Sequence, residues 1–218
     1  MKIGILGTGM VGNSIGSKLV KLGHEVKMGS RTADNEKGKE FAKTNGSKAS
    51  HGTFADAAKF GEVIFNCTSG GVSLNVLQMA GAAGMKGKIL IDISNPLDFS
   101  KGMPPILIPS LTNTTSVGEA IQKAYPDVKV VKAFNTMNTN LMVNPALIKG
   151  DHDVFICGND DSAKKKFREM LGWFGWKPDS VIDLGDISGS RGMEMILPLW
   201  IRLWGKYNSP NFNFKVVR

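Results

Sequence analysis

Three glycines near the amino terminus have the spacing of a phosphate-binding loop. The segment "GTGMVG" matches the pattern G-x-G-x-x-G and comprises Gly7, Thr8, Gly9, Met10, Val11 and Gly12. It follows an apolar, strand-like stretch and precedes a helical pattern, which is the context that a dinucleotide-binding loop requires. We expect Gly7 to allow the tight turn, Gly9 to admit a pyrophosphate close to the backbone, and Gly12 to let the helix pack on the strand. The N–H groups and the dipole of that helix would then face the phosphates.

The end of the second predicted strand indicates which dinucleotide binds. Sites for NAD place an Asp or Glu about 20 residues past the glycines, where it binds the ribose 2′-hydroxyl. Here the segment reads "GSR", which contains Ser30 and Arg31, and Glu25 stands too early to take that role. A carboxylate would repel a 2′-phosphate, whereas an Arg fork and a Ser hydroxyl bind one. Lys37, near the next helix start, could supply a second charge, so the sequence predicts NADP(H).

Small and polar residues follow three further predicted strands. These strands run into "NCTSGG", "ISNPL" and "AFNTMN" at residues 66–71, 93–97 and 133–138. Ligands of such folds bind outside the carboxyl ends of the strands, so we expect cofactor contacts at this edge. The candidates are Thr68, Ser69, Gly70, Asn95, Pro96, Ala133, Phe134 and Asn135.

The candidates fall into two chemical groups. Thr68, Ser69 and Gly70 would let a ribose and a nicotinamide lie close to the backbone. The amides of Asn95 and Asn135 could hold the carboxamide or a planar acceptor. Each residue could equally serve a turn, because turns use the same residue types.

Side chains suited to proton transfer or metal binding form no recognisable pattern. His24, His51 and His152 have no metal-ligand spacing to one another or to the cysteines. The tyrosines are Tyr125 and Tyr207, and neither forms a Tyr-x-x-x-Lys pair of the short-chain dehydrogenase kind, because Pro126 breaks any helix between Tyr125 and Lys129. This pattern favours direct hydride transfer to a conjugated acceptor, in which the cofactor supplies the reactivity and the protein the orientation. No catalytic side chain and no metal site are assigned.

Short apolar strands alternate with amphipathic segments along most of the chain. Strands are predicted at residues 2–6, 24–28, 48–51, 63–67, 88–93, 129–133, 154–157 and 180–184. Helices are predicted at residues 10–22, 35–43, 54–59, 74–83, 117–124 and 161–174, with one more at the end. This alternation predicts an α/β fold, a Rossmann-type doubly wound and mainly parallel sheet covered on both faces. We expect an NADP-binding domain of residues 1–134 and a small C-terminal α/β extension of residues 135–218, which would pack against it and contribute to the acceptor cleft.

The last predicted helix carries one apolar stripe and one proline. The stripe consists of Met193, Ile196, Leu197, Trp200, Leu203 and Trp204. Such a stripe is typical of core packing against the sheet, and a dimer seam or a pocket wall for Trp200 and Trp204 are the alternatives. Pro198 should bend the helix or break it.

Composition excludes several classes of protein. The chain has 218 residues, 27 basic and 19 acidic, for a net charge of +8, which favours anionic partners. Its lysines are scattered without interleaved aromatics, which argues against nucleic acid. Cys67 and Cys157 end apolar strands and resemble buried thiols of a reducing compartment. Arg202 interrupts the apolar run "LPLWIRLW", and no signal peptide is recognisable, so we expect a cytoplasmic protein without a membrane part.

Several segments together resemble a known family, the NADPH:coenzyme F420 (deazaflavin) oxidoreductases. The similarity runs from "KIGILGTGMVG" through "GHEVKMGSR", "IDISNPL" and "VVKAFNTMN" to "DLGDISGSRGMEMILPLWIRL" and "FNFKVVR". The cytosolic domains of six-transmembrane metalloreductases are similar too. The resemblance implies a homodimer that binds NADP(H) along the glycine loop, with the 2′-phosphate at Ser30 and Arg31, joined by Lys37. It also implies that hydride passes directly to a deazaflavin, in a cleft between "AFNTM" and residues 184–191.

Other functions stay open at this point. A free flavin or another small conjugated acceptor could replace the deazaflavin. An imine or β-hydroxyacid reductase could use the same scaffold, although no Lys is placed convincingly for the second reaction. A non-catalytic NADP(H)-binding redox sensor would also lack acid–base residues.

Overall fold

Ten strands and ten α-helices form in the chain, and a computed structural model describes all of residues 1–218. The strands are β1 (Lys2–Leu6), β2 (Glu25–Ser30), β3 (Ala49–Thr53), β4 (Val63–Asn66), β5 (Ile89–Asp92), β6 (Leu97–Asp98), β7 (Ile106–Leu107), β8 (Lys129–Ala133), β9 (Val154–Cys157) and β10 (Val181–Asp183). The helices are α1 (Met10–Lys21), α2 (Glu36–Asn45), α3 (Phe54–Phe60), α4 (Gly70–Ala80), α5 (Ala82–Met85), α6 (Val117–Ala124), α7 (Thr139–Val143), α8 (Asp161–Phe174), α9 (Ser190–Met195) and α10 (Leu197–Tyr207).

Eight of the strands form one sheet in the order β10-β9-β8-β5-β4-β1-β2-β3. The six strands β8, β5, β4, β1, β2 and β3 are parallel to one another. Their order is that of a doubly wound dinucleotide-binding sheet. The predicted α/β fold of Rossmann type is therefore confirmed.

The end of the chain extends this sheet. β9 runs antiparallel to β8, and β10 runs parallel to β9. The C-terminal tail returns to the start of β9, where the Asp153 N–H donates to the Phe214 carbonyl at 2.9 Å. The side chain of Asp153 also accepts from Lys215 Nζ and the Val216 N–H. The division of the chain at residue 135 stays a prediction.

Apolar side chains cover both faces of the sheet. One buried cluster joins Ile5 of β1 to Phe41 of α2 and Phe167 of α8. The other joins Leu6 of β1 to Leu77 of α4. Ile5 and Leu6 are neighbours whose side chains point to opposite faces, as strand geometry requires. The helices thus hold the sheet from both sides and leave its carboxyl edge free for a ligand.

Several element boundaries differ from those predicted. β2 continues two residues past Met28, because Gly29 and Ser30 still pair with Gly52 and Thr53 of β3. α4 begins at Gly70, four residues earlier than predicted, because the turn after β4 leads straight into it. The hairpin of β6 and β7 was not predicted, since strands of two residues show no periodicity.

Pro198 breaks the last helix, as predicted. α9 ends at Met195 and α10 starts at Leu197, with the proline in its first turn, where a missing N–H is tolerated. Met193 joins the buried cluster, as the core-packing interpretation requires. Trp200 instead packs on Trp204 and on Phe212 of the tail, at ring-centroid distances of 5.7 and 5.2 Å. None of the helices is both long and apolar enough to cross a membrane.

Asp160 caps α8, and its replacement should destabilise the protein in a pH-dependent way. Its carboxylate accepts from the Ser162 hydroxyl and the Ala163 N–H and pairs with Lys129, which together lower the pKa of Asp160 to about 2. Because the folded pKa lies below the unfolded value of about 3.9, this stabilisation is complete above pH ~4 and is lost as the pH falls towards 2. Asp160→Ala should lower the free energy of unfolding by about 1 kcal/mol at pH 6. Urea denaturation from pH 6 to pH 3 should show the difference from wild type shrinking; a difference that stays constant would contradict the assignment.

Candidate functional site

The glycine loop lies at the carboxyl end of β1, as predicted. Gly7 has a φ of +116°, which favours glycine, and its N–H donates to the Gly29 carbonyl of β2 at 3.0 Å. A Cβ on Gly12 would lie 2.3 Å from the Gly7 carbonyl oxygen, so α1 can approach the loop only with glycine there.

Gly9 differs from its two neighbours. Its backbone is extended, with φ −78° and ψ −175°, and a Cβ added there would have no atom within 4 Å. The space in front of α1 is therefore open, and neither a side-chain cap nor an acidic residue occupies the first turn. Met10 is 80% exposed, whereas Thr8 and Val11 are half-buried. This arrangement fits the pyrophosphate of a dinucleotide.

Ser30 and Arg31, two of the residues predicted to select NADP(H), directly follow Gly29, whose carbonyl accepts the Gly7 N–H of the glycine loop. Ser30 ends β2, and its buried hydroxyl donates to the Thr32 carbonyl at 2.5 Å. Arg31 and Lys37 are exposed, Arg31 directly after β2 and Lys37 in the first turn of α2. Glu25 begins β2 at the opposite edge of the sheet, as its early position predicts. The residue that ends β2 and the one that follows it, Ser30 and Arg31, are therefore not carboxylates.

The loops after β4 and β5 are joined by hydrogen bonds. The Gly70 N–H donates to the Asn95 carbonyl at 3.0 Å, and a Cβ on Gly70 would lie 2.4 Å from that oxygen. Thr68 Oγ1 donates to Asn66 Oδ1 at 2.6 Å. Ser69 is exposed just before α4, and Pro96 is buried behind the loop.

The amides of Asn95 and Asn135 bind each other. Asn95 Nδ2 donates to the Asn135 carbonyl, and Asn135 Nδ2 donates to Asn95 Oδ1, both at 2.9 Å. Asn135 Nδ2 also donates to the Met193 carbonyl of α9 at 2.7 Å. Asn135 Oδ1 is buried without a partner, so it is the acceptor in this loop that a ligand could satisfy.

Ala133 and Phe134 are buried beneath the same loop. Phe134 has a φ of +63°, and its ring packs against Phe167 and Phe174 at centroid distances of 5.5 and 5.9 Å. Both side chains lie in the core, Ala133 0% and Phe134 1% exposed. Only their backbone groups face the edge at which a ligand would bind.

A cluster of buried charges lies beneath the carboxyl edge of the sheet, and it was not predicted from the sequence. Lys132 Nζ lies 2.8 Å from Asp92 Oδ2 and 2.7 Å from Glu194 Oε1, and the three side chains are at most 1% exposed. We call Asp92, Lys132 and Glu194 the buried triad. Burial raises the pKa of Glu194, and the neighbouring ammonium of Lys132 opposes that shift. The signal in the sequence was a lysine within the apolar strand "KVVKA".

The two cysteines are free thiols, and neither has the environment of a nucleophile. Cys157 is buried, and burial raises its pKa to about 12. Burial raises the pKa of Cys67 as well. Since the thiolate is the reactive form, the raised pKa of each thiol argues against a nucleophilic role. No group of three His, Cys, Asp or Glu side chains is arranged to hold a metal ion.

The fold and this edge define a Rossmann-type dinucleotide-binding protein. Residues 2–96 match the family model described as "NADP oxidoreductase coenzyme F420-dependent". The chain is 32% identical, over 232 aligned positions, to the F420-dependent NADP reductase of Methanocaldococcus jannaschii, with 100% of this chain and 98% of that protein covered. The chain belongs to the family of F420-dependent NADP reductases.

Two further proteins resemble the chain. A crystal structure from Arthrobacter sp. FB24, provisionally described as an F420-dependent NADP reductase, is 47% identical with a TM-score of 0.92, and both chains are covered completely. Metalloreductase STEAP3 of Rattus norvegicus is 31% identical over 204 residues, which cover 91% of this chain but 38% of that protein.

Proposed function

We propose that this chain transfers a hydride directly between the nicotinamide of NADP(H) and the deazaflavin ring of coenzyme F420. The main support for NADP(H) is the end of β2. Ser30 and Arg31 stand there in place of a carboxylate, beside a glycine loop that is open at Gly9. A 2′-phosphate is the ligand group that this exchange favours. The family of the chain agrees with this choice of coenzyme.

The roles of the cofactor-binding residues follow from their places at the edge. The open backbone at Gly9 and the first turn of α1 would bind the pyrophosphate, and Arg31 and Lys37 the 2′-phosphate. The hydroxyl of Ser30 would have to turn from the Thr32 carbonyl to join them. The small residues after β4, from Thr68 to Gly70, would leave room for the nicotinamide ribose.

The acceptor would bind between residues 133–137 and the segment of residues 184–191, which leads into α9. Asn135 Oδ1, buried without a partner, offers this ligand a hydrogen-bond acceptor. Each turnover would move two electrons and one proton as a hydride, and one further proton from solvent would complete the reduced acceptor. The protein therefore has to orient two planar groups and keep water from between them, which agrees with the lack of a side chain placed for proton transfer.

An acceptor panel tests this proposal. Purified protein with NADPH is mixed in turn with coenzyme F420, FMN, FAD and a set of cyclic imines, while the absorbance of NADPH is followed. We expect NADPH oxidation with coenzyme F420 at a rate at least about a hundredfold above that with the other acceptors. Faster oxidation with a flavin or an imine would overturn the choice of acceptor. Tight NADPH binding without turnover on any acceptor would favour a redox sensor.

We further propose that the protein acts as a homodimer in the cytoplasm, without nucleic acid as a partner. The exposed apolar residues of α10, Leu199, Trp204 and Tyr207, support a contact between two copies. The two free thiols suit a reducing compartment. Light scattering should give twice the chain mass, and a mass of one chain would refute the dimer.

A further inference from the structure

The strand side of the buried triad reaches the loops that would hold the nicotinamide. Lys132 Nζ donates to the Ser94 carbonyl at 2.5 Å as well as to both carboxylates, so its three N–H groups are all used. Asp92 Oδ1 accepts from Ser94 Oγ at 2.7 Å and from Asn66 Nδ2 at 2.8 Å. Asn66 in turn accepts from Thr68. The ends of β4, β5 and β8 are thus tied together below the surface.

The helix side of the triad fixes α9. Glu194 accepts the N–H groups of Val117 and Gly118, at 2.9 and 3.1 Å, at the N-terminus of α6. One turn earlier on α9, the Ser190 hydroxyl meets the Ser116 hydroxyl at 2.6 Å. A Cβ on Gly118 would lie 2.8 Å from Ser190 Oγ, so the two helices are in close contact. The hydrogen bonds of Glu194 and Ser190 therefore fix the position of α9 against the N-terminus of α6.

Both sides of the triad end at residues that would form the walls of the proposed acceptor cleft. Ser94 precedes Asn95, whose amide pairs with that of Asn135. Asn135 also binds the carbonyl of Met193, the residue next to Glu194 on α9. Lys132 is the one cation of the triad, and its removal would leave the carboxylates of Asp92 and Glu194 without a partner cation.

We propose that Lys132 is a positioning residue for hydride transfer, which holds the loop after β5 and helix α9 at a fixed separation. This inference rests on the proposed function. Hydride donor and acceptor have to approach to about 3–3.5 Å, and a displacement of about 1 Å can slow such a step about a hundredfold. The triad does not line the glycine loop or contact the residues proposed for the 2′-phosphate, so its loss should slow the hydride step far more than it weakens NADPH binding.

The test uses a charge-matched pair of substitutions. Lys132→Met alone would leave two buried carboxylates unpaired and could prevent folding. In the double variant Lys132→Met with Glu194→Gln, one cation and one anion disappear together, so the net buried charge is unchanged while the bridge is cut. Glu194→Gln alone keeps the pair of Lys132 with Asp92, and it decides the question if the double variant does not fold.

Two quantities are measured for each variant: the NADPH dissociation constant and the single-turnover rate of NADPH oxidation at saturating coenzyme F420. We expect the dissociation constant to change less than about threefold, and the rate to fall at least about thirtyfold in the double variant and about tenfold in Glu194→Gln. If the double variant, or Glu194→Gln where the double variant does not fold, oxidises NADPH within threefold of the wild-type rate, the proposal is overturned. A loss of rate matched by an equal loss of NADPH affinity would also overturn it, because a general structural defect would produce such a loss.

Lys88→Met is the matched control. Lys88 is a half-buried lysine whose Nζ donates to the carbonyls of Ala58 and Lys59, and it adjoins the amino end of β5. Its substitution should leave the single-turnover rate unchanged. Wild-type protein is measured first: if it fails to reduce coenzyme F420, the proposed function is refuted, whereas equally fast variants refute only the role of Lys132.

Discussion

Arg31→Ala should raise the dissociation constant of NADPH about ten- to a hundredfold and leave that of NADH within about twofold. The side chain is exposed beside the glycine loop, and no carboxylate stands at the end of β2 to bind a ribose hydroxyl instead. A charge-assisted hydrogen bond contributes about 1.5–3 kcal/mol net, and about 1.4 kcal/mol corresponds to a factor of ten. NADH lacks the 2′-phosphate and therefore cannot lose this contact. Fluorescence titration of both coenzymes measures the two constants.

Lys43→Ala serves as the control for this prediction. Lys43 is an exposed lysine in the last turn of α2, at the end of the helix away from the site. Its removal changes the net charge as Arg31→Ala does, so any general electrostatic effect on an anionic ligand appears in both variants. An equal loss of affinity for NADPH and NADH in Arg31→Ala would show that this residue does not contact the 2′-phosphate.

Gly9→Val should abolish coenzyme binding without unfolding the protein. The backbone at Gly9 is extended and open to any residue, and an added Cβ would contact nothing. The fold therefore does not require this glycine for space or backbone geometry; valine is a weaker N-cap than glycine at the start of α1, so the melting temperature should fall by no more than about 4 °C. A coenzyme does require it, because the valine methyls would fill the space where a pyrophosphate approaches the backbone. We expect the dissociation constants of NADPH and NADH to rise together, at least about a hundredfold, or ~3 kcal/mol.

Gly12→Ala provides the contrasting result. Its Cβ would lie 2.3 Å from the Gly7 carbonyl oxygen, so α1 has to move away from the loop. Such overpacking costs about 1–3 kcal/mol of stability, which thermal unfolding would report as a lower melting temperature. If Gly9→Val instead bound NADPH as wild type does, the pyrophosphate would lie elsewhere.

The sequence predicted the fold because its helices and strands are periodic and most of the connections between them are short. Alternating segments from Lys2 to Ala133 indicated the parallel sheet, and the proline at 198 indicated the break before α10. The hairpin of β6 and β7 could not be predicted, since two-residue strands are held by long-range pairing and show no period. The antiparallel direction of β9 could not be predicted from the sequence either, because strand direction depends on how the connecting loop crosses the sheet.

The sequence predicted those parts of the candidate site that consist of short local motifs. The glycine loop and the "GSR" segment lie where their spacing placed them, and the structure brings Asn95 and Asn135 together from distant parts of the chain. The buried triad was missed because its three members are remote in sequence and meet only through the order of the strands. A lysine inside an apolar strand indicates a buried charge, but the sequence does not show which carboxylates pair with it.

Transfer of deuterium tests the central claim most directly. NADPH that carries deuterium at the transferable position of the nicotinamide is oxidised by the protein with coenzyme F420 in a single turnover, and the reduced coenzyme is analysed by mass spectrometry. Direct hydride transfer predicts one deuterium in the reduced deazaflavin and none lost to water. Deuterium released to solvent, or NADPH that stays unoxidised, would contradict the account.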